Sequence, residues 1–383
     1  MKVQILGSSV TKFGEHWDKS LIDLAAEASF EAMHDAEIDS KKIEAVFVGN
    51  MLSGQLQHQE HLGAVVASAL GISSGGLKIE GACASGGLAV HMAIQSLLAG
   101  TYETVLVVGA EKMTDFPAGK ITSALMGAGS EEERQAGLTF PSLYALIAKA
   151  HMQEFGTTRE HMAQVSVKNH YHASLNEKAQ FPFEISIERV LNSAKVTDPF
   201  TLLDSSPITD GAAALVLRAT NNKKSITKNQ EVYITASTMA TDTIGLSERK
   251  NLVELAATKA AAEKAFIQAG VLPKDINVME VHDCFTIAEI LAMEDLGFCA
   301  KGEGGQYIQS GETRLGGKIP VNTSGGLKGC GHPVGATGVK QIVEIRDQLS
   351  GRAGKRQANG AKVGLTQNVG GTGATVVVHI LQI

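Results

Sequence analysis

Two glycine-rich corners hold the side chains best suited to covalent chemistry. In the first, the strand pattern Leu77-Lys78-Ile79-Glu80 ends in Gly81-Ala82-Cys83-Ala84-Ser85-Gly86-Gly87. The apolar residues that follow, Val90, Ile94, Leu97 and Leu98, recur at helical spacing. Cys83 therefore sits where a strand turns into a helix. Small neighbours leave its sulfur accessible, and the positive end of the helix favours the thiolate over a free thiol of pKa about 8.5. Taken alone, such a cysteine is more often a buried structural one. The second corner, Gly325-Gly326-Leu327-Lys328-Gly329-Cys330-Gly331-His332-Pro333-Val334-Gly335-Ala336-Thr337-Gly338, supplies what would reverse that reading. It fixes His332 just before another helix, and an imidazole within reach of a thiol can take its proton.

These corners belong to a chain that repeats itself. The helix Leu24 to Ala36 running into the strand Ile43 to Val48 resembles Ala257 to Ala269 running into Ile276 to Val281. The helix Gly87 to Gly100 matches Gly338 to Gly351, and the strand Asp210 to Leu217 matches Thr372 to Val378. Three pairings in one order predict a duplicated α/β domain. If the halves pack about a pseudo-twofold axis, both helix N-termini face one site. Between the halves, from about Gly119 to Lys195, lie helical patterns such as Ser142 to Glu154 and Thr158 to Ala173. This segment leaves and re-enters the first half, as an excursion capping a ligand site does, although a surface helical hairpin would read the same way. The expected division is a first half over residues 1–118, continued at 196–222, an inserted region over 119–195 and a second half over 223–383.

Composition narrows the class. The chain has 383 residues, 34 basic and 40 acidic, a formal charge of −6 and 44% hydrophobic residues, which argues against disorder and nucleic-acid binding. Glycine numbers 41 against 8 prolines, so glycines serve tight geometry rather than linkers. No apolar run reaches the roughly 18–20 residues of a membrane span. The N-terminus reads directly into a strand without a leader pattern, and Cys83, Cys284, Cys299 and Cys330 lack paired spacing. A reducing cytoplasm with free thiols and no structural metal is the expectation. His170-Tyr171-His172 reads as solvent-facing rather than as a ligand pair.

The run around Cys83, the Gly331-His332-Pro333-Val334-Gly335-Ala336-Thr337-Gly338 motif and the glycine-rich entry to the last strand resemble the thiolase family over essentially the whole chain. The resemblance implies the thiolase fold: α/β, a duplicated five-layered αβαβα arrangement of two mixed five-stranded sheets, with an inserted helical loop domain. It also implies that Cys83 takes an acyl group from an acyl-CoA and that His332 activates it. Two departures refine this. His282-Asp283-Cys284-Phe285 stands where common thiolases carry Asn-Glu-Ala-Phe, and Gln367-Asn368-Val369-Gly370-Gly371 lacks their second catalytic cysteine. The pattern is similar to sterol-carrier-protein-type thiolases and archaeal acetoacetyl-CoA thiolases, which implies that Cys284 is the acid/base thiol.

On that resemblance the chain is an acetyl-CoA C-acetyltransferase condensing two acetyl-CoA to acetoacetyl-CoA, feeding the mevalonate pathway, with coenzyme A thioesters as substrates and no further cofactor. Cys284 would remove the α-proton, with His282 and His332 holding the enolate oxygen. The N–H groups of Cys83 and Gly370 would hold the acyl oxyanion, Phe285 would border the pantetheine arm, and Asn368 would supply a hydrogen bond. A homodimer or tetramer is implied, as is a complex with 3-hydroxy-3-methylglutaryl-CoA synthase and a small OB-fold, zinc-ribbon protein. Other readings stay open: a longer-chain 3-oxoacyl-CoA thiolase, a ketoacyl-synthase-like enzyme using Cys83, His282 and His332, and a non-catalytic acyl-CoA or lipid-binding subunit.

Overall fold

The computed structural model of the chain describes residues 2–220 and 231–383, so the expected boundary between residues 222 and 223 lies outside the described residues. Strand β1 (Val3–Val10) leads to helix α1 (Leu21–Asp35), which starts where Ser20 and Asp23 cap each other's backbone N–H groups. Then come β2 (Ala45–Gly49), α2 (Ser53–Leu56), α3 (Leu62–Ala69), β3 (Gly75–Ile79), α4 (Ser85–Leu98) and β4 (Thr104–Glu111). The chain leaves the sheet for α5 (Ala118–Leu125), α6 (Glu131–Gln135), α7 (Phe140–Phe155), α8 (Arg159–Ser174), α9 (Ile187–Leu191) and the ribbon β5 (Lys195–Thr197) and β6 (Phe200–Thr201). It returns as β7 (Gly211–Ala219). The second half runs β8 (Tyr233–Thr241), α10 (Ala256–Ala269), β9 (Val278–Glu280), α11 (Thr286–Asp295), α12 (Gly304–Gln309), α13 (Gly326–Gly329), α14 (Val334–Leu349), β10 (Val363–Gly370) and β11 (Thr375–Gln382).

The strands lie in the order β3-β2-β4-β7-β1-β8-β11-β10-β9. From the centre outward each half repeats one pattern. β1 pairs antiparallel with β7, β7 antiparallel with β4, and β4 parallel with β2. Likewise β8 pairs antiparallel with β11, β11 antiparallel with β10, and β10 parallel with β9. The three repeats seen in the sequence fall on matching elements: α1 and β2 with α10 and β9, α4 with α14, β7 with β11. The sheets differ from the two separate five-stranded units expected. They touch where Val3 pairs with Ile234 and Gln4 with Tyr233, and where the Ile5 N–H donates to the Val232 carbonyl at 3.1 Å. The fifth strand of the second half shrinks to a bridge between Met279 and Val321, next to Pro320, which has no N–H to give a ladder.

Alternation along β4 sets the layers. Leu106 and Val108 face a core with α1 and α3, whereas Val105 and Val107 face a core containing Val90 and Ile94 of α4 and Val339 and Ile342 of α14. The third large core packs α10 and α11 with β8 to β11 and with α7 of the inserted region. Helices α4 and α14 thus lie in the middle layer, and their N-termini carry the two glycine-rich corners.

Candidate active site

The middle helices meet backbone to backbone. A Cβ on Gly86 would lie 2.6 Å from the Gly335 carbonyl oxygen, and one on Gly338 would lie 2.2 Å from the Gly87 nitrogen. Glycine at these places is what lets the corners converge. Ahead of Cys83, Ala82 holds a left-handed φ of 53° that an L-residue adopts at a cost of roughly 1–2 kcal/mol. The turn is fixed by Glu80, whose carboxylate accepts the Ala82 N–H at 2.6 Å, and by Ser85, whose hydroxyl accepts the Gly81 N–H at 3.0 Å.

The thiol of Cys83 and ring nitrogens of His282 and His332 lie within 4.8 Å of one another. The two rings meet edge to face, 5.0 Å between centroids. Their hydrogen bonds assign them opposite tautomers. The Thr337 hydroxyl lies 3.0 Å from the Pro333 carbonyl, which can only accept, so its proton goes there and it accepts from His332 Nδ1 at 2.7 Å. His332 Nε2 is left as a bare lone pair. For His282 the key is Asn368, whose Oδ1 accepts the Gly87 N–H at 3.1 Å and whose Nδ2 donates to the Cys83 carbonyl at 3.0 Å. That fixes the amide, so its Nδ2 faces His282 Nδ1 at 3.3 Å as a donor. His282 must then carry its proton on Nε2, a buried atom with no partner. One imidazole is a base and the other a hydrogen-bond donor. A metal ion would need a bare nitrogen from both rings, which the Asn368 amide opposes.

Burial holds both histidines neutral: it lowers His332 to about 3 and His282 well below the usual imidazole value, with His332 adding to the latter shift. The thiols do not carry charge at rest. Cys83 keeps some exposure through the cavity, yet the atoms packed around its sulfur push its pKa up, as does Cys284, while the Gly371 N–H pulls it down. The helix terminus expected to favour the thiolate is outweighed. Burial also pushes Cys284 up to about 12, against donation from Tyr144.

Cys284 and Phe285 line the same cavity as Cys83 and His332, a space of about 210 Å³ walled by Met113, Leu125, Phe140, Tyr144 and Val334 among others. The Cys284 carbonyl accepts the Ser206 N–H at 2.9 Å, which ties the motif to the strand-like return from the inserted region. His282 takes its place through its N–H on Gln367 Oε1 at 3.1 Å. The Gly371 N–H acts on the Cys83 thiol, beside the Gly370 N–H expected to face the acyl oxyanion. One expectation shifts. His170 and His172, expected at the surface, are buried. His172 bonds the Asn322 carbonyl at 3.0 Å and accepts the Leu315 N–H at 3.0 Å, part of a polar seam by which α8 supports the site. In the same seam Asn169 Nδ2 donates to Asp283 at 2.7 Å. Cys299 and Cys330 lie outside the cavity, and Tyr144, missed in the sequence, lies inside it.

A family model for the thiolase N-terminal domain matches residues 3–221, and one described as thiolase C-terminal domain-like matches residues 238–383. The chain belongs to the thiolase family. The acetyl-CoA acetyltransferase of Methanothermobacter thermautotrophicus is 48% identical to it over 99% of this chain and 98% of the relative. Human sterol carrier protein 2 is 35% identical over 98% of this chain and 71% of the relative. Among solved structures, the Ltp2-ChsH2(DUF35) aldolase superposes with a TM-score of 0.84 at 24% identity, covering 99% of this chain and 97% of the other, a likeness of fold. This thiolase thus has the expected duplicated architecture, and no helix among its described residues is long and apolar enough to cross a membrane.

Proposed function

We propose that this thiolase is an acetyl-CoA C-acetyltransferase that joins two acetyl-CoA into acetoacetyl-CoA through an acetyl group carried on Cys83. The observation that carries the reading is the pair of opposed histidine tautomers beside one thiol. His332 Nε2 takes the Cys83 proton as the sulfur attacks the thioester carbonyl, and returns it to the departing CoA thiolate. The N–H groups of Cys83 and of the Gly370–Gly371 segment face the acyl oxyanion. His332, neutral again, next accepts the Cys284 proton across the shared cavity; the Cys284 thiolate removes the α-proton of the second acetyl-CoA, and the His282 Nε2–H meets the enolate oxygen. The carbanion attacks the acetyl carbon, and Cys83 leaves as the thiolate and recovers the proton held on His332, which returns every group to its starting state.

A cavity of about 210 Å³, smaller than the roughly 300–1,000 Å³ usual for ligand pockets, favours a two-carbon acyl group over longer ones. The acetyl-CoA acetyltransferase among the relatives supports the same choice. Steady-state thiolysis across acyl lengths tests it: acetoacetyl-CoA is expected to give the highest kcat/KM, and a preference for chains of eight or more carbons would replace the reading with the longer-chain one. The proposal extends to a homo-oligomer, since β3 is an edge strand with Leu77 50% exposed directly before the Cys83 corner. It places the enzyme in the cytoplasm, at the entry to the mevalonate pathway. Association with 3-hydroxy-3-methylglutaryl-CoA synthase and a small OB-fold, zinc-ribbon protein is in keeping with the aldolase neighbour, whose name includes a DUF35 component, and with the balanced charge of the inserted region.

A further inference from the structure

The reaction so far leaves Tyr144 unused. It comes from α7 in the inserted region, is 1% exposed and stacks on Phe285 with ring centroids 4.7 Å apart. Its hydroxyl donates to the Gly371 carbonyl at 3.0 Å, and it lines the same cavity as Cys284, where each of the two groups acts on the other's ionisation. A phenol has one proton for these two neighbours. While Cys284 is a thiol, its S–H donates to the phenol oxygen and the phenol donates to Gly371. Once Cys284 is a thiolate, the sulfur has nothing to donate, and the phenol proton satisfies either a neutral carbonyl or a buried anion. Hydrogen bonds to ionised groups are the stronger kind.

We propose that Tyr144 is a catalytic residue whose hydroxyl turns from the Gly371 carbonyl to the Cys284 sulfur and back, stabilising the thiolate that removes the α-proton. The proposal rests on the reading of Cys284 as the base. In the forward step the α-carbon C–H bond breaks and an S–H bond forms on Cys284. The electron pair stays on the substrate as the enolate, and Tyr144 swings to Gly371 with its own proton. In thiolysis the same motions run backwards, and nothing is consumed.

The other groups facing Cys284 do not supply this contact. Asp283 next to it raises its pKa, and Cys83 shares the cavity as a second thiol. His332 and His282 are neutral. The Lys328 ammonium attracts Cys284 through space but makes no hydrogen bond. Arg249 acts on Tyr144 itself, favouring its ionised form.

Tyr144→Phe keeps the ring stack and removes the switch. With the full-length enzyme, acetylation of Cys83 by acetyl-CoA, followed by intact mass, is expected to stay within about twofold of wild type. Condensation at neutral pH is expected to fall about 10- to 100-fold, the worth of a hydrogen bond to a charged group, and to recover as pH rises. A second measurement reads the sulfur directly: in a Cys83→Ala background, alkylation of Cys284 by iodoacetamide against pH is expected to shift upward when Tyr144→Phe is added. Unchanged condensation and alkylation profiles in Tyr144→Phe, with Cys284→Ala unable to condense, would overturn the role of Tyr144 and leave the base in place. Normal condensation in Cys284→Ala would overturn both.

Discussion

The Cys83 and His332 corners occupy the same place in the two halves, before α4 and before α14, yet they are held in different ways. Around Cys83 the backbone is constrained, with Ala82 at a φ of 53° and Glu80 and Ser85 clamping the turn. Around His332 the hydrogen bonds run through side chains: Thr209 accepts the His332 N–H at 3.0 Å and Thr337 accepts from its ring. A nucleophile has to project an atom that makes no strong bonds at rest, so its backbone does the positioning. A base has to present one particular lone pair, so its neighbours set the tautomer. Duplication provides two equivalent positions, and the few residues that differ between them divide the labour.

The comparison breaks most completely at the sulfur. Cys83→Ala is expected to abolish both condensation and thiolysis and to remove the acetyl mass shift. An acetyl group retained on the variant would move the nucleophile elsewhere. Next comes the meeting of the corners: Gly338→Ala puts a carbon 2.2 Å from both the Gly87 nitrogen and the Asn368 Oδ1. Overpacking of this kind costs about 1–3 kcal/mol, and with the helices displaced, activity is expected to fall at least 100-fold with a lowered Tm. Wild-type Tm and activity would mean the close approach is not needed.

The tautomer argument is sharpened by two milder changes. Thr337→Val keeps the shape but removes the acceptor for His332 Nδ1, and kcat for acetyl transfer is expected to drop roughly 10- to 100-fold, a part of the usual worth of a general base. Asn368→Ala frees the His282 ring, and its cost, roughly tenfold, should fall on condensation more than on acetylation. The smallest effect is on stability. Burial holds His332, His172 and His379 at about 3 and His170 at about 4, whereas unfolded histidines titrate near 6.5. Between those values the unfolded chain binds more protons, so their contribution is complete above about 6.5 and is lost as pH falls towards about 3. Tm is therefore expected to decline across that window, and less steeply in His172→Gln; equal slopes would exclude His172 as a contributor.

Much of this was legible from the chain. The three repeats landed on equivalent elements because buried strands and their covering helices leave strong apolar spacing. Cys83, Cys284, Phe285 and His332 came together because short motifs carried them to one cavity, with His282 beside Cys83 and His332. Tyr144 was not legible, since α7 reaches the cavity through tertiary packing and nothing in its local pattern distinguishes a cavity tyrosine from a core one. His170 and His172 were misread for the opposite reason. Spacing arguments follow apolar residues, but the inner face of α8 is polar, with Lys168 bonded to the Val321 carbonyl and paired with Glu289, and Asn169 bonded to Asp283 and Glu289.

The division of labour between the two thiols is tested most directly by separating the half-reactions in Cys284→Ala. Acetylation of Cys83 needs His332 and the oxyanion donors but not Cys284, so the variant is expected to take up one acetyl group and release CoA at close to the wild-type rate. Condensation is expected to fall about 10²- to 10⁴-fold, the usual worth of a positioned general base. In a ketoacyl-synthase-like mechanism the two histidines carry the second step and the substitution is nearly silent. Near-normal acetoacetyl-CoA formation by Cys284→Ala would contradict the account.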